Sequence, residues 1–253
     1  MPDSPEQFKQ DAIRIIEASG SANVLLRLLG ALAFSIHCPK FGYLQQRLGR
    51  NFTDIDFASY GSKRGMIVKL MTSLGYDEDF MVSRLYGSRR IVFHSKSSDR
   101  HCDVFLDKLE FSHDLPFEGR LEADYPTIPL AELMLEKMQI VKLNEKDVID
   151  TIMLLREHQI GEGDKETINS ERISTLCAQD WGLWRTVTGN LKLVLEQASK
   201  YEQLSKGDMG DISSKIGKLL ESIDAAPKTT RWKLRARVGE SRKWYREVDE
   251  LVR

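Results

Sequence analysis

Apolar residues fall at helical spacing in the first segment, where Phe8, Ala12, Ile15 and Ile16 share one face of residues 5–18. Ser4 stands before Pro5, the order of an N-cap followed by proline in the first turn. Gly20 is the expected stop. Residues 22–29 form an apolar run that reads as a buried strand or the run into one, since so short a run suits a helix or a strand. Gly30 breaks it, and residues 31–36 predict the start of a helix. Residues 54–58 alternate polar and apolar, with Ile55 and Phe57 on one face of a predicted strand. Residues 62–74 read as an amphipathic helix closed by Gly75. Three strands are then predicted at 80–86, 90–94 and 101–106, with turns at Gly87-Ser88 and Ser97-Ser98-Asp99. Helices alternating with strands and ending in hairpins predict an α+β fold with a mixed β-sheet.

From Pro129 the pattern is helical. Leu130, Leu133, Met134, Met138 and Val141 make one stripe, and Asn144 with Asp147 forms a capping-box arrangement before a helix reaching His158. Residues 161–170 read as a linker. Helical patterns follow at 171–204, 211–224 and 229–252, with breaks at 206–210 and at Ala226-Pro227. The expected division is an α+β domain over 1–125 and a helical C-terminal domain over 126–253.

Charged content of 30% and hydrophobic content of 41% suit a globular chain rather than a disordered one. The formal net charge of −1 announces no global attraction to nucleic acid. The stretch from Lys228 to Arg253 is an exception. Its basic residues are Lys228, Arg231, Lys233, Arg235, Arg237, Arg242, Lys243, Arg246 and Arg253; its acids are Glu240, Glu247, Asp249 and Glu250. Trp232 and Trp244 sit inside it, so it reads either as a terminal helix docked on the C-terminal bundle or as an RNA-binding surface. Cys38, Cys102 and Cys177 are scattered and odd in number, which argues against a disulfide framework or a zinc site. The five histidines show no ligand spacing. The opening MPDSPEQFKQDAIRII lacks the basic and apolar regions of a signal peptide, and no apolar run approaches a membrane span. A cytoplasmic protein with no membrane association is the expectation.

The candidate chemistry is Asp54-x-Asp56. On a strand, residues two apart point to one face, so both carboxylates converge. Adjacent anions raise a pKa or demand a cation, and a hard divalent ion with oxygen ligands meets that demand. Asp103, on the predicted strand 101–106, joins them if the two strands pair. Three such acids suit two-metal transfer of a nucleotidyl or phosphoryl group. Gly30, ahead of a predicted helix, allows backbone N–H groups to approach phosphate.

In this order the residues resemble a known family. Leu29-Gly30-Ala31-Leu32-Ala33, then Arg50-Asn51-Phe52-Thr53-Asp54-Ile55-Asp56-Phe57, then Asp103-Val104-Phe105, is similar to the signature of the DNA polymerase β-like nucleotidyltransferase superfamily. It is most similar to the AbiEii/AbiGii-type toxin branch, where Arg50 and Thr53 match the residues before the acids. Thr127 to Gln139 and Leu143 to Asp150 resemble two helical motifs downstream, and the likeness covers about residues 20–160.

The resemblance implies a nucleotidyltransferase domain using Mg²⁺ or Mn²⁺ and a nucleoside triphosphate. Asp54, Asp56 and Asp103 would hold metal. Gly30, Ala31, Arg50, Thr53, Lys137, Asp147 and Asp150 would surround the nucleotide, and the acceptor hydroxyl would belong to RNA, such as tRNA, or to protein. Ala31 departs from the family, which usually has a second Gly or Ser there. Read from the residues alone, Lys137 is also a solvated or snorkelling lysine on a helix with an apolar face, Asp147 a helix cap and Asp150 a partner of Lys146 or of another neighbour on a solvated face. The alternative to an enzyme is a nucleotide-binding or toxin–antitoxin-type protein on the same scaffold without turnover. Its mark would be acids splayed apart or paired with arginine.

Overall fold

The computed structural model describes residues 4–47 and 52–248. In chain order, α1 (Pro5–Ser21), β1 (Arg27–Leu29), α2 (Gly30–His37), α3 (Tyr43–Arg47), β2 (Asp54–Ser59), α4 (Arg64–Ser73), β3 (Tyr76–Glu78) and α5 (Phe80–Tyr86) come first. They lead to β4 (Arg90–Ser95), β5 (His101–Leu106), β6 (Lys108–Glu110) and β7 (Asp114–Pro116). The remainder is α6 (Leu130–Met138), α7 (Glu145–Glu157), β8 (Gln159–Gly161), β9 (Thr167–Asn169), α8 (Ser170–Gln179), α9 (Trp181–Ala198), α10 (Lys206–Ala225) and α11 (Thr230–Val238). The fold is α+β with a mixed sheet and a helical C-terminal region. The described residues divide into two compact units, one drawn from 1–37, 49–109 and 115–129, the other from 38–48, 110–114 and 130–253. Among the described residues no helix is long and apolar enough to cross a membrane.

The first unit is built on a five-stranded sheet in the order β1-β2-β5-β4-β3. β2 and β5 run parallel; the other neighbours are antiparallel. The centre of one face is apolar: Leu28, Ile55, Phe57, Ile91, Phe93, Cys102 and Val104 are all at 0% exposure. The apolar stripe of α1 (Phe8, Ala12, Ile15, Ile16) and that of α4 (Ile67, Leu70, Met71) are buried in the same unit. Ser4 caps α1 through a reciprocal capping box with Gln7. Tyr76 donates its hydroxyl hydrogen to Asp11 of α1, which tethers that helix to the sheet.

Residues 80–86 are a helix, not the strand their Phe, Val and Tyr content predicts. Asp79 decides this: its side chain accepts from the backbone N–H of Met81 and of Val82, both at 3.0 Å, and so fixes a helical first turn. The edge of the sheet is completed instead by β3, which pairs with β4 through Glu78↔Phe93.

In the second unit α6 is buried on every side, from Leu130 to Met138, and packs against α7, α8 and α9. Its charged residues are matched: Arg172 Nε lies 2.8 Å from Glu132 Oε1. At its C-terminal end the Asn190 amide of α9 donates to the carbonyls of Met138 (2.9 Å) and Ile140 (2.7 Å), groups that a helix end leaves without internal partners. Several helix limits differ from the sequence pattern. Residues 171–204 form two helices, because Asp180 accepts from Leu183 N–H and starts α9 afresh. Residues 206–210 are the first turns of α10, capped by Ser205 and Asp208, rather than a break. The linker at 161–170 contains β9, paired parallel with β8, and Asn169 caps α8. The last predicted helix ends at Val238; Gly239, at φ 58°, closes it in a conformation that favours glycine.

Trp181, Trp184, Trp232 and Trp244 all belong to the second unit, so tryptophan emission follows its unfolding. Asn190→Ala leaves the buried Met138 carbonyl and the partly buried Ile140 carbonyl without their donor and is expected to destabilise this unit by about 2 kcal/mol, read from urea denaturation. His113 supplies a pH dependence. Its ring nitrogen lies 2.9 Å from Thr186 Oγ1, and burial pushes the imidazole down to about 4. Below its ordinary value near 6.5 the unfolded chain takes up a proton that the folded chain refuses. Stability present above pH 6.5 is therefore lost as pH falls toward 4, by about 3 kcal/mol for this group. His113→Gln should flatten that part of the stability–pH curve. An unchanged slope would assign the loss to other groups.

Candidate functional site: three aspartates on one sheet face

With Ile55 and Phe57 turned into the core, the alternation of β2 sends Asp54 and Asp56 to the opposite face. Parallel pairing places Asp54 beside His101 and Asp56 beside Asp103. The oxygens that Asp54, Asp56 and Asp103 can offer a ligand all lie within 4.8 Å of one another. Asp54 and Asp56 are partly exposed, whereas Asp103 is 1% exposed. The arrangement presents hard oxygen donors from one side, the donor chemistry that suits Mg²⁺ or Mn²⁺.

Arg90, which sequence reasoning missed, is part of this face. Antiparallel pairing sets Val92 opposite Asp103 and Arg90 opposite Phe105. The Arg90 guanidinium lies over the Phe105 ring, 5.1 Å from its centroid, and Nη2 reaches Asp103 Oδ2 at 2.5 Å. The third acid is thus already matched by a cation. Strand alternation alone cannot reveal this pair, since it requires the register of β4 on β5.

Gly30 is fixed by the same geometry. β1 pairs with β2 so that Leu29 faces Asp56, and α2 begins at the next residue. Gly30 has φ 69°, and a Cβ there would collide with the Asp56 carboxylate. Ala31 follows it, partly buried, in the first turn of α2. Thr53 is exposed and donates to Asp54 Oδ1 at 3.2 Å. Arg50 lies outside the described residues.

Lys137, Asp147 and Asp150 belong to the helical unit and form a cluster there. Lys137 Nζ is 2.9 Å from Glu136 Oε1, 3.5 Å from Asp150 Oδ2 and 3.7 Å from Asp147 Oδ1. Gln45 donates to Asp150 Oδ1 at 2.8 Å. Asp147 also completes the capping box with Asn144. Lys137 is buried with its carboxylate neighbours rather than snorkelling to solvent, and it lines a cavity of about 420 Å³ together with Asp147.

Cys38, Cys102 and Cys177 are buried free thiols, and burial raises the pKa of each, which leaves them poor nucleophiles.

No family model matches the chain. No curated protein matches it either. Among solved structures it is similar to the antibiotic-resistance factor ANT(2'')-Ia, described in solution with substrate-regulated conformation dynamics. Identity is 13%, coverage is 92% of this chain and 97% of that one, and the TM-score is 0.34.

Gly30→Ala is expected to destabilise the first unit by more than about 1 kcal/mol, because the backbone is left-handed and the added methyl meets Asp56. Hydrogen exchange of β2 amides measures it. Protection equal to wild type would mean that α2 can tilt away from the strand without cost.

Proposed function

We propose that the protein is a metal-dependent nucleotidyltransferase of the polymerase β-like type, similar to the AbiEii/AbiGii branch. It transfers a nucleoside monophosphate from a nucleoside triphosphate to a hydroxyl of RNA or protein. The observation that carries this reading is the convergence of the Asp54, Asp56 and Asp103 oxygens within 4.8 Å on one sheet face. Three acids placed so close are held at an electrostatic cost that a divalent cation relieves. Asp54 and Asp56 are the residues that would hold it, with Asp103 sharing the site. What a divalent ion supplies there when bound is neutralisation of triphosphate charge and a lowered pKa for an acceptor hydroxyl.

The chain's own groups account for the rest. The left-handed Gly30 brings the backbone at the start of α2 against Asp56, close enough to meet a phosphate oxygen. The hydroxyl oxygen attacks the α-phosphorus, the bond to the β,γ-pyrophosphate breaks, and pyrophosphate leaves with the electron pair. The hydroxyl proton passes to Asp103, whose carboxylate is oriented by its pairing with Arg90.

That same Arg90–Asp103 pair favours a second reading: a nucleotide-binding or toxin–antitoxin-type protein without turnover, its third acid occupied by arginine. Ala31 in the glycine motif points the same way.

A transfer assay separates the two. Each of the four α-³²P-labelled nucleoside triphosphates is offered with Mg²⁺ or Mn²⁺, with total RNA and cell lysate as acceptors. Label should appear with wild type, and Asp54→Ala, Asp56→Ala should reduce it by roughly 100-fold or more, the rate equivalent of about 3 kcal/mol. Metal-dependent nucleotide binding by calorimetry without any transfer would support the second reading. Neither transfer nor such binding would remove both.

A further inference from the structure

The basic C-terminal stretch is not one docked helix. α11 carries Arg231 and Arg235 four residues apart, capped at its start by Thr229. After Gly239 the described residues, to 248, form no helix beyond a short turn at 239–241, and the chain is fastened at Arg246. The Arg246 backbone N–H donates to Ser112 O at 3.0 Å, its Nε donates to Phe111 O at 3.1 Å, and its guanidinium pairs with Asp114. This fastening leaves a cavity of about 580 Å³ within the helical unit, lined by Arg231, Arg235, Lys243, Arg246, Trp232 and Trp244 among others. A second cavity, about 420 Å³ and carrying Lys142, shares Ser112, Tyr245 and Arg246 with it. A volume in this range holds a nucleotide-sized ligand rather than a lone anion.

The tryptophans account for the packing of this region. Trp184 and Trp232 meet edge to face at 5.2 Å, Trp181 and Trp244 at 6.2 Å, and Arg235 lies over Trp181 at 4.6 Å. Packing does not account for the charge. The lining holds Arg231, Arg235, Lys243 and Arg246 against Asp114 and Asp180. Both acids are engaged, Asp180 as the cap of α9 and Asp114 with Arg246. Among the described residues the exposed Arg231 makes no ion pair. Lys243 pairs with Glu247 at 2.6 Å, but both side chains are more than half exposed, and such a pair contributes little and exchanges easily for a stronger anion.

We propose that this cleft binds a single-stranded phosphodiester chain, with Arg231 and Lys243 on its phosphates and the Trp232, Trp244 and Tyr245 rings beside its bases. Cations interleaved with aromatic rings in a concave groove match the alternating phosphate and base of a flexible strand. A duplex keeps its bases stacked away from such rings, and an acidic peptide has no base to offer them. RNA and DNA share the chemistry, and the test distinguishes them.

The test uses the full chain and fluorescein-labelled RNA and DNA oligonucleotides of about 12 nucleotides, with anisotropy read from about 50 mM to about 200 mM salt. Wild type should bind and should quench tryptophan emission on binding. Arg231→Glu with Lys243→Glu should weaken binding at least about 10-fold and flatten the slope of log Kd against log salt by about 1.4, the equivalent of two lost phosphate contacts on a single strand. Arg231→Ala, at an exposed position, gives a smaller loss in the same direction and guards against misfolding of the double variant. Tighter binding of the RNA or of the DNA names the source of the strand. The proposal is overturned by no binding at the low-salt end, by wild-type affinity in both variants, or by polyglutamate or duplex RNA competing as well as the single strand. Asp54→Ala, Asp56→Ala should bind as wild type does; loss of binding there would place the strand at the aspartates instead. Because the readout is binding and not transfer, failure here leaves the proposed transfer reaction standing, and the reverse also holds.

Discussion

Asp56 faces Asp103 across a parallel strand pair whose other side consists of Ile55, Phe57, Cys102 and Val104, all sealed from solvent. The apolar side holds the acidic side in place. Burying Ile55, Phe57 and Val104 stabilises the pair by about 1.5–3 kcal/mol per side chain. Two carboxylates about 5 Å apart repel by about 3 kcal/mol at an effective dielectric constant near 20. The core can therefore sustain acids that local repulsion would drive apart. A slip of one residue in β2 would turn both aspartates into the core, so the register that buries the apolar side also assembles the acidic one.

Cations complete this balance in both units, though the two places differ. On the sheet, Arg90 matches Asp103, the most buried of the three acids, while Asp54 and Asp56 stay partly open to solvent. In the helical unit, Lys137 is set among Glu136, Asp147 and Asp150, and Arg172 meets Glu132. A buried ion pair contributes little net stability, but losing one partner costs several kcal/mol because the remaining charge is stranded. These arginines and lysines thus specify where each acid sits more than they add to stability.

The C-terminal stretch shows how few contacts decide the form of a segment. Gly239 ends α11, and the three bonds of Arg246 to residues 111–114 draw the following chain across the helical unit. A helix continued to residue 252 would have spread its basic residues around a cylinder. The turn gathers Arg231, Arg235, Lys243 and Arg246 along one cavity instead.

What the sequence determined by itself is local. The period of two in residues 54–58 put both aspartates on one face, Ser4 and Asn144 announced their helices, and Gly30 marked the turn into α2, because each depends on neighbours along the chain. The same local reading failed at residues 80–86, where the Asp79 cap outweighed strand-like composition, and at 206–210, where Ser205 and Asp208 began a helix through two glycines. Only the tertiary structure decided that Asp103 stands beside Asp56, that Arg90 reaches it, that Gly30 has no room for a methyl, and that Lys137 lies among three acids. Each of these depends on the register or packing of segments distant in sequence, and residue spacing carries no record of that.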